Sequence, residues 1–223
     1  MNRSKLISIQ MLSIALVQVF SVAAFAAGVW SGAGTTFQEW SFGTRSSQMT
    51  PIPSDDSGAG NPYGTPTAWV GSRAVYSDNG GTWTLYTDEM DFFIPNNPEP
   101  QPIKQMQIEI DWMAGSGQNV WPGWPQRPLV SVYPYYGSTN GLVVYPDITV
   151  LDPGTLIPGS SLYRSIFGVV IAPNPVNEWV ILKGDIVVDH VAISTICTPE
   201  PATLGLLIGG AFMAIRRGRK IKD

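Results

Sequence analysis

The chain has 223 residues, one cysteine, one histidine and a formal net charge of −4 at pH 7. A single cysteine excludes an internal disulfide framework, and a single histidine excludes zinc sites built from several histidines. Residues 27–201 hold 16 acidic and 6 basic residues, a net charge of −10, because basic residues concentrate at the two ends. This acidic body argues against nucleic acid or anionic lipid as a partner.

Residues 1–26 have the pattern of a secretory signal peptide. Arg3 and Lys5 precede an apolar stretch over residues 6–25, and Ala24 and Ala26 are small residues at the positions that signal peptidase inspects. We expect an N-terminal signal helix that is cleaved after Ala26. A retained transmembrane anchor is the alternative interpretation of this stretch.

The body, residues 27–197, is predicted to be a single all-β domain. Glycine and proline interrupt it at spacings that break helices, and runs of β-branched and aromatic residues recur between turn signals. The clearest strand is 104–113, where the side chains predicted to face the core are Met106, Ile108, Ile110 and Trp112. The other predicted strands are 82–86, 129–133, 142–145, 163–171, 179–182 and 186–195, with a hairpin turn at Lys183-Gly184-Asp185 between the last two. This pattern favours an antiparallel β-sandwich of the jelly-roll kind.

Carboxylates are the remaining candidates for catalysis, because His190 is expected on the outward face of the last strand and no G-x-S-x-G motif occurs. A glycosidase needs two carboxylates about 5 to 9 Å apart across a cleft. Glu109 and Asp111 would lie about 7 Å apart on one strand face, which any half-exposed strand produces. A solvated turn is predicted for Asp88, Glu89 and Asp91. The sequence therefore predicts that the protein is not an enzyme.

No cofactor is predicted beyond a structural calcium ion. Calcium takes about six to eight oxygen ligands, which loops rich in Asp, Asn and Gly supply. The candidates are Asp55-Asp56-Ser57-Gly58 and the pair Asp185 and Asp189. Both are weak, because no EF-hand spacing is present.

Eight tryptophans and eight tyrosines raise the question of sugar binding, since aromatic rings stack on sugar rings. Trp121 and Trp124 lie in a Pro-rich, loop-like segment and are the best candidates for an exposed ligand platform. Trp83, Trp112 and Trp179 are predicted to lie in the core, since tryptophan is favoured in strands and buries a large area.

The last 26 residues, 198–223, have three parts in a fixed order. Pro199, Glu200 and Pro201 form a triplet that separates the body from an apolar run over residues 202–215. The basic residues that follow include Arg216, Arg217 and Arg219. A helix over the run would be roughly 21 Å long, short of the roughly 30 Å hydrocarbon core. It would therefore be a short transmembrane helix that thins the bilayer or snorkels its arginines; a short buried helix with a solvated tail is the alternative.

The triplet, the apolar run and the arginines together resemble the PEP-CTERM sorting signal, also catalogued as the ice-binding-protein C-terminal domain. The resemblance implies recognition by a membrane exosortase, which removes the tail near the triplet and leaves the body outside the cell. More loosely, residues 174–179 and 184–196 resemble the end of exported planctomycete-type PEP-CTERM proteins, which look like galactose-binding-like jelly rolls.

Two functions are open at this point. The first is a non-catalytic exported protein, inserted transiently in the inner membrane and sorted to the cell envelope, cell surface or extracellular matrix by signal peptidase and exosortase. The alternative is a carbohydrate-binding module that acts on extracellular polysaccharide through Trp121, Trp124 and neighbouring tyrosines, for which Tyr133-Pro134-Tyr135-Tyr136 is the candidate segment. Cys197 is expected to be a free thiol in the linker before the triplet, with an intermolecular disulfide or a modified attachment point as the alternative.

Overall fold

The strands form where β-branched and aromatic residues alternate with polar ones. The computed structural model describes residues 34–42, 48–49, 61–78, 80–97, 101–117, 124–137 and 145–198, and these form twelve strands and no helix. The strands are β1 (Thr35–Ser41), β2 (Gln48–Met49), β3 (Thr67–Val70), β4 (Val75–Ser77), β5 (Thr82–Thr84), β6 (Glu89–Pro95), β7 (Ile103–Ala114), β8 (Leu129–Tyr135), β9 (Ile148–Leu156), β10 (Tyr163–Ile171), β11 (Asn177–Lys183) and β12 (Ile186–Thr198). The predicted all-β fold class is confirmed.

The strands pair into two antiparallel sheets. The seven-stranded sheet has the order β4-β5-β12-β7-β10-β9, with β1 paired to β12, and the five-stranded sheet has the order β2-β3-β6-β11-β8. The strands β5 and β1 pair with successive parts of β12, at residues 187–188 and 190–196. From β6 onward most connections pass from one sheet to the other, as in a jelly-roll sandwich.

The core lies between the two sheets and follows the period-two alternation of the strands. On β7, Met106, Ile108 and Ile110 are almost completely buried, as the sequence predicted. They share the core with residues of the opposite sheet such as Phe92 and Val180. Burial of this apolar area, at about 25 cal/mol per Å², is the main favourable contribution to folding.

The predicted hairpin at Lys183-Gly184-Asp185 is wrong. β11 belongs to the five-stranded sheet and β12 to the seven-stranded sheet, so the turn is a crossover between the two sheets. Gly184 has φ +139°, and a Cβ there would lie 2.5 Å from the carbonyl oxygen of Arg127. The Asp185 N–H donates to Pro125 O at 2.9 Å, and Asp185 O accepts from the Gly115 N–H at 2.8 Å. The local sequence is typical of a hairpin turn, but contacts with residues distant in sequence determine the conformation of this crossover.

One other local prediction is also wrong, and a second falls almost wholly outside the described residues. Glu89 and Asp91 are strand residues of β6, whereas a solvated turn was expected. Tyr145 lies outside any strand, and the rest of the predicted strand 142–145 lies outside the described residues. The strand in that part of the chain is β9, which the sequence did not reveal because Asp152-Pro153-Gly154 reads as a turn. β9 is an edge strand, where a proline is tolerated.

Apart from Thr198, the described residues belong to one compact unit, Val29–Cys197. Cys197 is part of β12, and its N–H donates to Gly34 O at 3.1 Å, so the expected linker position is wrong. No helix that could cross a membrane is found among the described residues. The predicted signal peptide and the sorting residues Pro199, Glu200, Pro201, Arg216, Arg217 and Arg219 lie outside the described residues.

Candidate functional site

The outer face of the five-stranded sheet carries a row of aromatic side chains. On β11, Val180 and Leu182 point into the core, so Trp179 points to the outer face. Trp179 lies directly opposite Phe93 of β6 on one side and Tyr133 of β8 on the other. Directly opposite residues of antiparallel strands have Cβ atoms about 5 Å apart, so the three rings form a row across three adjacent strands.

Ring contacts extend this row at both ends. The ring centroids of Trp69 and Trp179 are 5.2 Å apart, and those of Phe93 and Trp179 are 5.3 Å apart. Tyr133 meets Tyr145 edge to face at 5.3 Å. These distances are typical of stabilising aromatic pairs. We call Trp69, Phe93, Trp179, Tyr133 and Tyr145 the aromatic face.

The aromatic face is most open at the β8 edge of the sheet. Tyr133 is 36% exposed and Tyr145 is 62% exposed, while the other three rings are partly buried. A cleft of about 290 Å³ adjoins the two tyrosines and is lined by Ser131, Val132, Tyr133, Tyr145, Pro146 and Ile148. It lies where β8, an edge of one sheet, meets the start of β9, an edge of the other. Ring faces with polar groups beside them suit a ligand that has both apolar faces and hydroxyl groups.

Charged side chains lie on the same outer face. Asp91 is the cross-strand partner of Trp69, and its Oδ1 is buried without a hydrogen-bond partner among the described residues. Burial, assisted by the neighbouring Glu89, raises the pKa of Asp91 above its usual range, and Lys183 partly opposes this. Lys183 Nζ and Glu89 Oε2 form an ion pair at 2.7 Å. The face thus carries hydrogen-bonding groups on one side of the row formed by Phe93, Trp179 and Tyr133.

The structure confirms the predicted location of two tryptophans and corrects that of a third. Trp83 and Trp112 are buried in the core as expected, but Trp179 is on the outer face, so its core assignment is wrong. In the predicted strand 179–182, Trp179 alternates with Val180 and Leu182, which are buried. This alternation was the sequence signal that Trp179 faces outward. Trp124 is partly buried with an enclosed Nε1, and Trp121 lies outside the described residues.

The outer face of the seven-stranded sheet is charged, with its ions paired to one another. Arg164 of β10 lies opposite Asp111 of β7 and donates from Nε and Nη2 to its two carboxylate oxygens, each at 2.7 Å. Its Nη1 is 2.8 Å from Glu109 Oε1. The hydrogen bond to Asp111 is the main reason why the pKa of Arg164 is raised. The two carboxylates considered for catalysis therefore share one guanidinium.

His190 joins this charged face. Its Nε2 lies 2.7 Å from Glu39 Oε1 of β1, and its Nδ1 lies 3.7 Å from Asp111 Oδ2. The neighbouring Asp189 has a raised pKa, chiefly through burial, with His190 lowering it and Asp111 raising it. The expected outward position of His190 agrees with these partners.

The two aspartates of the candidate calcium pair, Asp185 and Asp189, have different surroundings. Asp185 is fully buried at the sheet crossover, where its Oδ2 accepts from the Gly117 N–H at 2.7 Å. Asp189 instead lies beside His190 and Asp111. Within the described part of the chain, no three or more His, Cys, Asp or Glu side chains are grouped so as to hold a metal ion. The segment Asp55-Asp56-Ser57-Gly58 lies outside the described residues.

No protein-family model and no curated protein matches the chain. Similar solved structures include the enzymatically active domain of tailspike protein 4 of Bacteriophage CBA120, with 13% identity and a TM-score of 0.29 over 74% of this chain and 19% of that chain. A carbohydrate-binding module specific for non-crystalline cellulose has 10% identity and a TM-score of 0.33, over 74% of this chain and 91% of that one. The cleaved adhesin domain of Lys-gingipain from Porphyromonas gingivalis has 10% identity and a TM-score of 0.30, over 74% and 99%. Because these TM-scores are low, the architecture rests on the strand pairing described above.

Proposed function

We propose that the chain is a non-catalytic carbohydrate-binding protein and that its aromatic face binds a neutral polysaccharide. The observation that carries the proposal is the row Phe93–Trp179–Tyr133 on the outer face of the five-stranded sheet, extended by Trp69 and Tyr145. These large aromatic side chains lie outside the core of the sandwich and contact one another. Such a patch on a sheet surface favours a binding role.

The chemistry of the face fits sugar rings. A pyranose has apolar C–H faces that stack on aromatic rings and equatorial hydroxyl groups that hydrogen-bond in the ring plane. Tyr133 and Tyr145 offer exposed ring surface, and Ser131 in the adjoining cleft offers a hydroxyl partner. Asp91 and the Lys183–Glu89 pair add charged hydrogen-bonding groups on the same sheet face.

The length of the row favours a polymer over a single sugar. Adjacent strands lie about 4.8 Å apart, so the three strands that carry Phe93, Trp179 and Tyr133 span roughly 10 Å before Tyr145 is added. This exceeds one sugar ring. A polysaccharide chain lying across the strands would contact successive rings.

The charge favours a neutral ligand. Residues 27–201 carry a net charge of −10, and Glu89 and Asp91 lie on the face itself. A polyanion would be repelled by these groups, whose negative charge Lys183 offsets in part.

The proposal is tested by affinity electrophoresis of the purified chain in gels containing neutral polysaccharides (mixed-linkage β-glucan, xyloglucan, galactomannan), with alginate as the anionic probe. We expect binding to at least one neutral polymer and a loss of at least about tenfold in the double variant Tyr133→Ala/Tyr145→Ala, since each ring contributes on the order of 1 kcal/mol. Tyr163→Ala is the matched control, because Tyr163 is 39% exposed and lies 5.4 Å from the Trp112 ring on the other sheet.

Three results would contradict the proposal: no binding to any neutral polymer, binding to alginate alone, or equal losses in the double variant and the control. Retention of binding in the double variant with loss in Trp124→Ala would instead favour a platform at Trp121 and Trp124.

We further propose that the protein reaches the polysaccharide by export. The signal-peptide pattern ending at Ala26 and the resemblance of residues 199–217 to a PEP-CTERM signal support this route, with signal peptidase and exosortase as processing enzymes. In a host with an active exosortase, mass spectrometry of the protein at the cell surface should show termini near Ala27 and near Pro201. An intact C-terminus there would refute the sorting proposal and leave the binding proposal untouched.

A further inference from the structure

Three polar side chains are buried together where β6 ends and β7 and β11 begin. Lys104 and Glu178 are completely buried, and Asn96 is 6% exposed. Lys104 Nζ contacts both Glu178 Oε1 and Asn96 Oδ1. Asn96 Nδ2 contacts Glu178 Oε2, and it donates to Pro175 O at 3.0 Å. An amine, a carboxamide and a carboxylate thus touch one another inside the sandwich.

We propose that Lys104 and Asn96 become joined by an amide bond between their side chains, and that Glu178 catalyses the formation of this bond. The arrangement places a nucleophile against an acyl group, with one carboxylate oxygen beside the attacking nitrogen and the other beside the leaving nitrogen. This is the geometry that proton transfer between two nitrogens requires.

The reaction balances without an external reagent. Glu178 Oε1 takes a proton from the Lys104 ammonium, and the neutral amine attacks Cγ of Asn96 to form the new C–N bond. A second proton then leaves Nζ for Glu178 while Glu178 delivers its first proton to Nδ2. The bond between Cγ and Nδ2 breaks with its electron pair on nitrogen, and ammonia leaves. The products are a secondary amide, one ammonia molecule and a protonated Glu178.

The surroundings favour the reaction at each stage. Burial raises the pKa of Glu178, although Lys104 and Asn96 partly oppose the shift, so the carboxylate is a stronger base than it would be in water. A buried ion pair pays a desolvation penalty of several kcal/mol per ion, whereas the amide product and the protonated acid are neutral. The completely buried site also keeps water away from the carbonyl carbon, which protects the product from hydrolysis.

The bond would connect the two sheets. Asn96 directly follows β6 of the five-stranded sheet, and Lys104 is the second residue of β7 in the seven-stranded sheet. The single cysteine, Cys197, cannot supply an internal disulfide, so this amide would be a covalent link suited to a protein exposed outside the cell.

Trypsin digestion of the denatured full chain followed by mass spectrometry tests the proposal. An amide at Lys104 blocks cleavage there, and trypsin does not cleave the Arg127-Pro128 bond, so we expect one peptide covering residues 74–164 whose mass is lower than the sequence mass by one ammonia. In Lys104→Arg, trypsin should cleave after residue 104 and the peptides should have their full sequence mass. In Glu178→Gln, trypsin should again cleave after Lys104.

Cleavage of the wild-type chain at Lys104 would overturn the proposal. This holds even if the peptide 74–104 has lost ammonia, because that product is a succinimide at Asn96. A cross-link formed to the wild-type extent in Glu178→Gln would overturn the catalytic role of Glu178. Because a folding defect in Glu178→Gln would also prevent the reaction, Glu178→Asp is the second variant. It keeps the carboxylate and should form part of the wild-type amount of cross-link. A folded Glu178→Asp protein without the cross-link would also count against the catalytic role of Glu178.

Discussion

On the outer face of the seven-stranded sheet, charged side chains bind one another, whereas the outer face of the five-stranded sheet carries aromatic rings and a solvent-exposed ion pair. Arg164, Glu109 and Asp111 form one network, and His190 links it to Glu39. Glu109 and Asp111 are both paired with the guanidinium of Arg164, which lies on a neighbouring strand. On the aromatic face, the outward rings contact one another.

This difference distinguishes a surface that stabilises the fold from the proposed binding surface. Removing a member of the charged network should cost stability, because a buried carboxylate is then left without its partner. Removing a charge from the aromatic face should cost little or should increase stability. The three predictions below use the free energy of unfolding to test this distinction.

The largest effect is expected for Arg164→Ala. The Arg164 side chain is 41% exposed, but Asp111 is only 9% exposed and accepts two hydrogen bonds from it. The variant leaves this carboxylate close to Glu109 and Asp189, so we expect a loss of about 2 kcal/mol, below the 3 to 5 kcal/mol typical of a fully buried pair. Urea denaturation at pH 7 measures it.

Two variants serve as controls for this result. Arg73→Ala removes an exposed arginine and should change the free energy of unfolding by less than about 0.5 kcal/mol. Arg164→Ala/Asp111→Asn removes the unpaired charge as well and should be more stable than Arg164→Ala alone. Equal stability of the wild type and Arg164→Ala would show that the network is no more than a surface ion pair.

A smaller effect of opposite sign is expected for Asp91→Asn on the aromatic face. Because burial and Glu89 raise the pKa of Asp91, the folded state binds this proton more tightly than the unfolded state does. The group therefore favours folding at acidic pH, and this contribution is lost as the pH rises through the folded-state pKa. The neutral asparagine should make the protein more stable than the wild type at pH 7.

The pH dependence of the difference is the diagnostic measurement for Asp91. Thermal melting from pH 3 to pH 8 should show the advantage of Asp91→Asn shrinking as the pH falls through the raised folded-state pKa of Asp91 toward the unfolded value of about 4. A difference that stays constant with pH would mean that packing, and not the charge, distinguishes the two proteins.

The alternation of side chains was the part of the fold that the sequence determined best. The strand Tyr163–Ile171 has the predicted bounds, and the core-facing residues of β7 were correctly assigned. The same alternation places Lys104 in line with Met106 and Glu178 in line with Val180, so it already indicated two charged residues that face the core. Their proximity depends on which strands lie across the core from each other, which no local pattern encodes.

The candidate site was harder to predict than the core for a related reason. Hydrophobicity placed Trp179 in the core, although its alternation with Val180 and Leu182 put it on the other face. Tyr145 lies in no strand and reaches Tyr133 only because an edge of one sheet meets an edge of the other. The crossover at Gly184 similarly depends on the backbone of Arg127, far away in sequence. Each of these positions is decided by tertiary packing.

The smallest effect is expected for Lys183→Gln, which removes the cation of the aromatic face. Lys183 and Glu89 are 39% and 40% exposed, and an ion pair with this exposure contributes about 0 to 1 kcal/mol. Lys183 also lowers the pKa of Asp91, so its charge has a second favourable partner on the same face. We therefore expect Lys183→Gln to cost a few tenths of a kcal/mol in the wild type and less in the Asp91→Asn background. A double-mutant cycle by urea denaturation at low ionic strength measures this coupling. A loss as large as that of Arg164→Ala would mean that the charges of the two faces support the fold equally, which would remove the contrast between them.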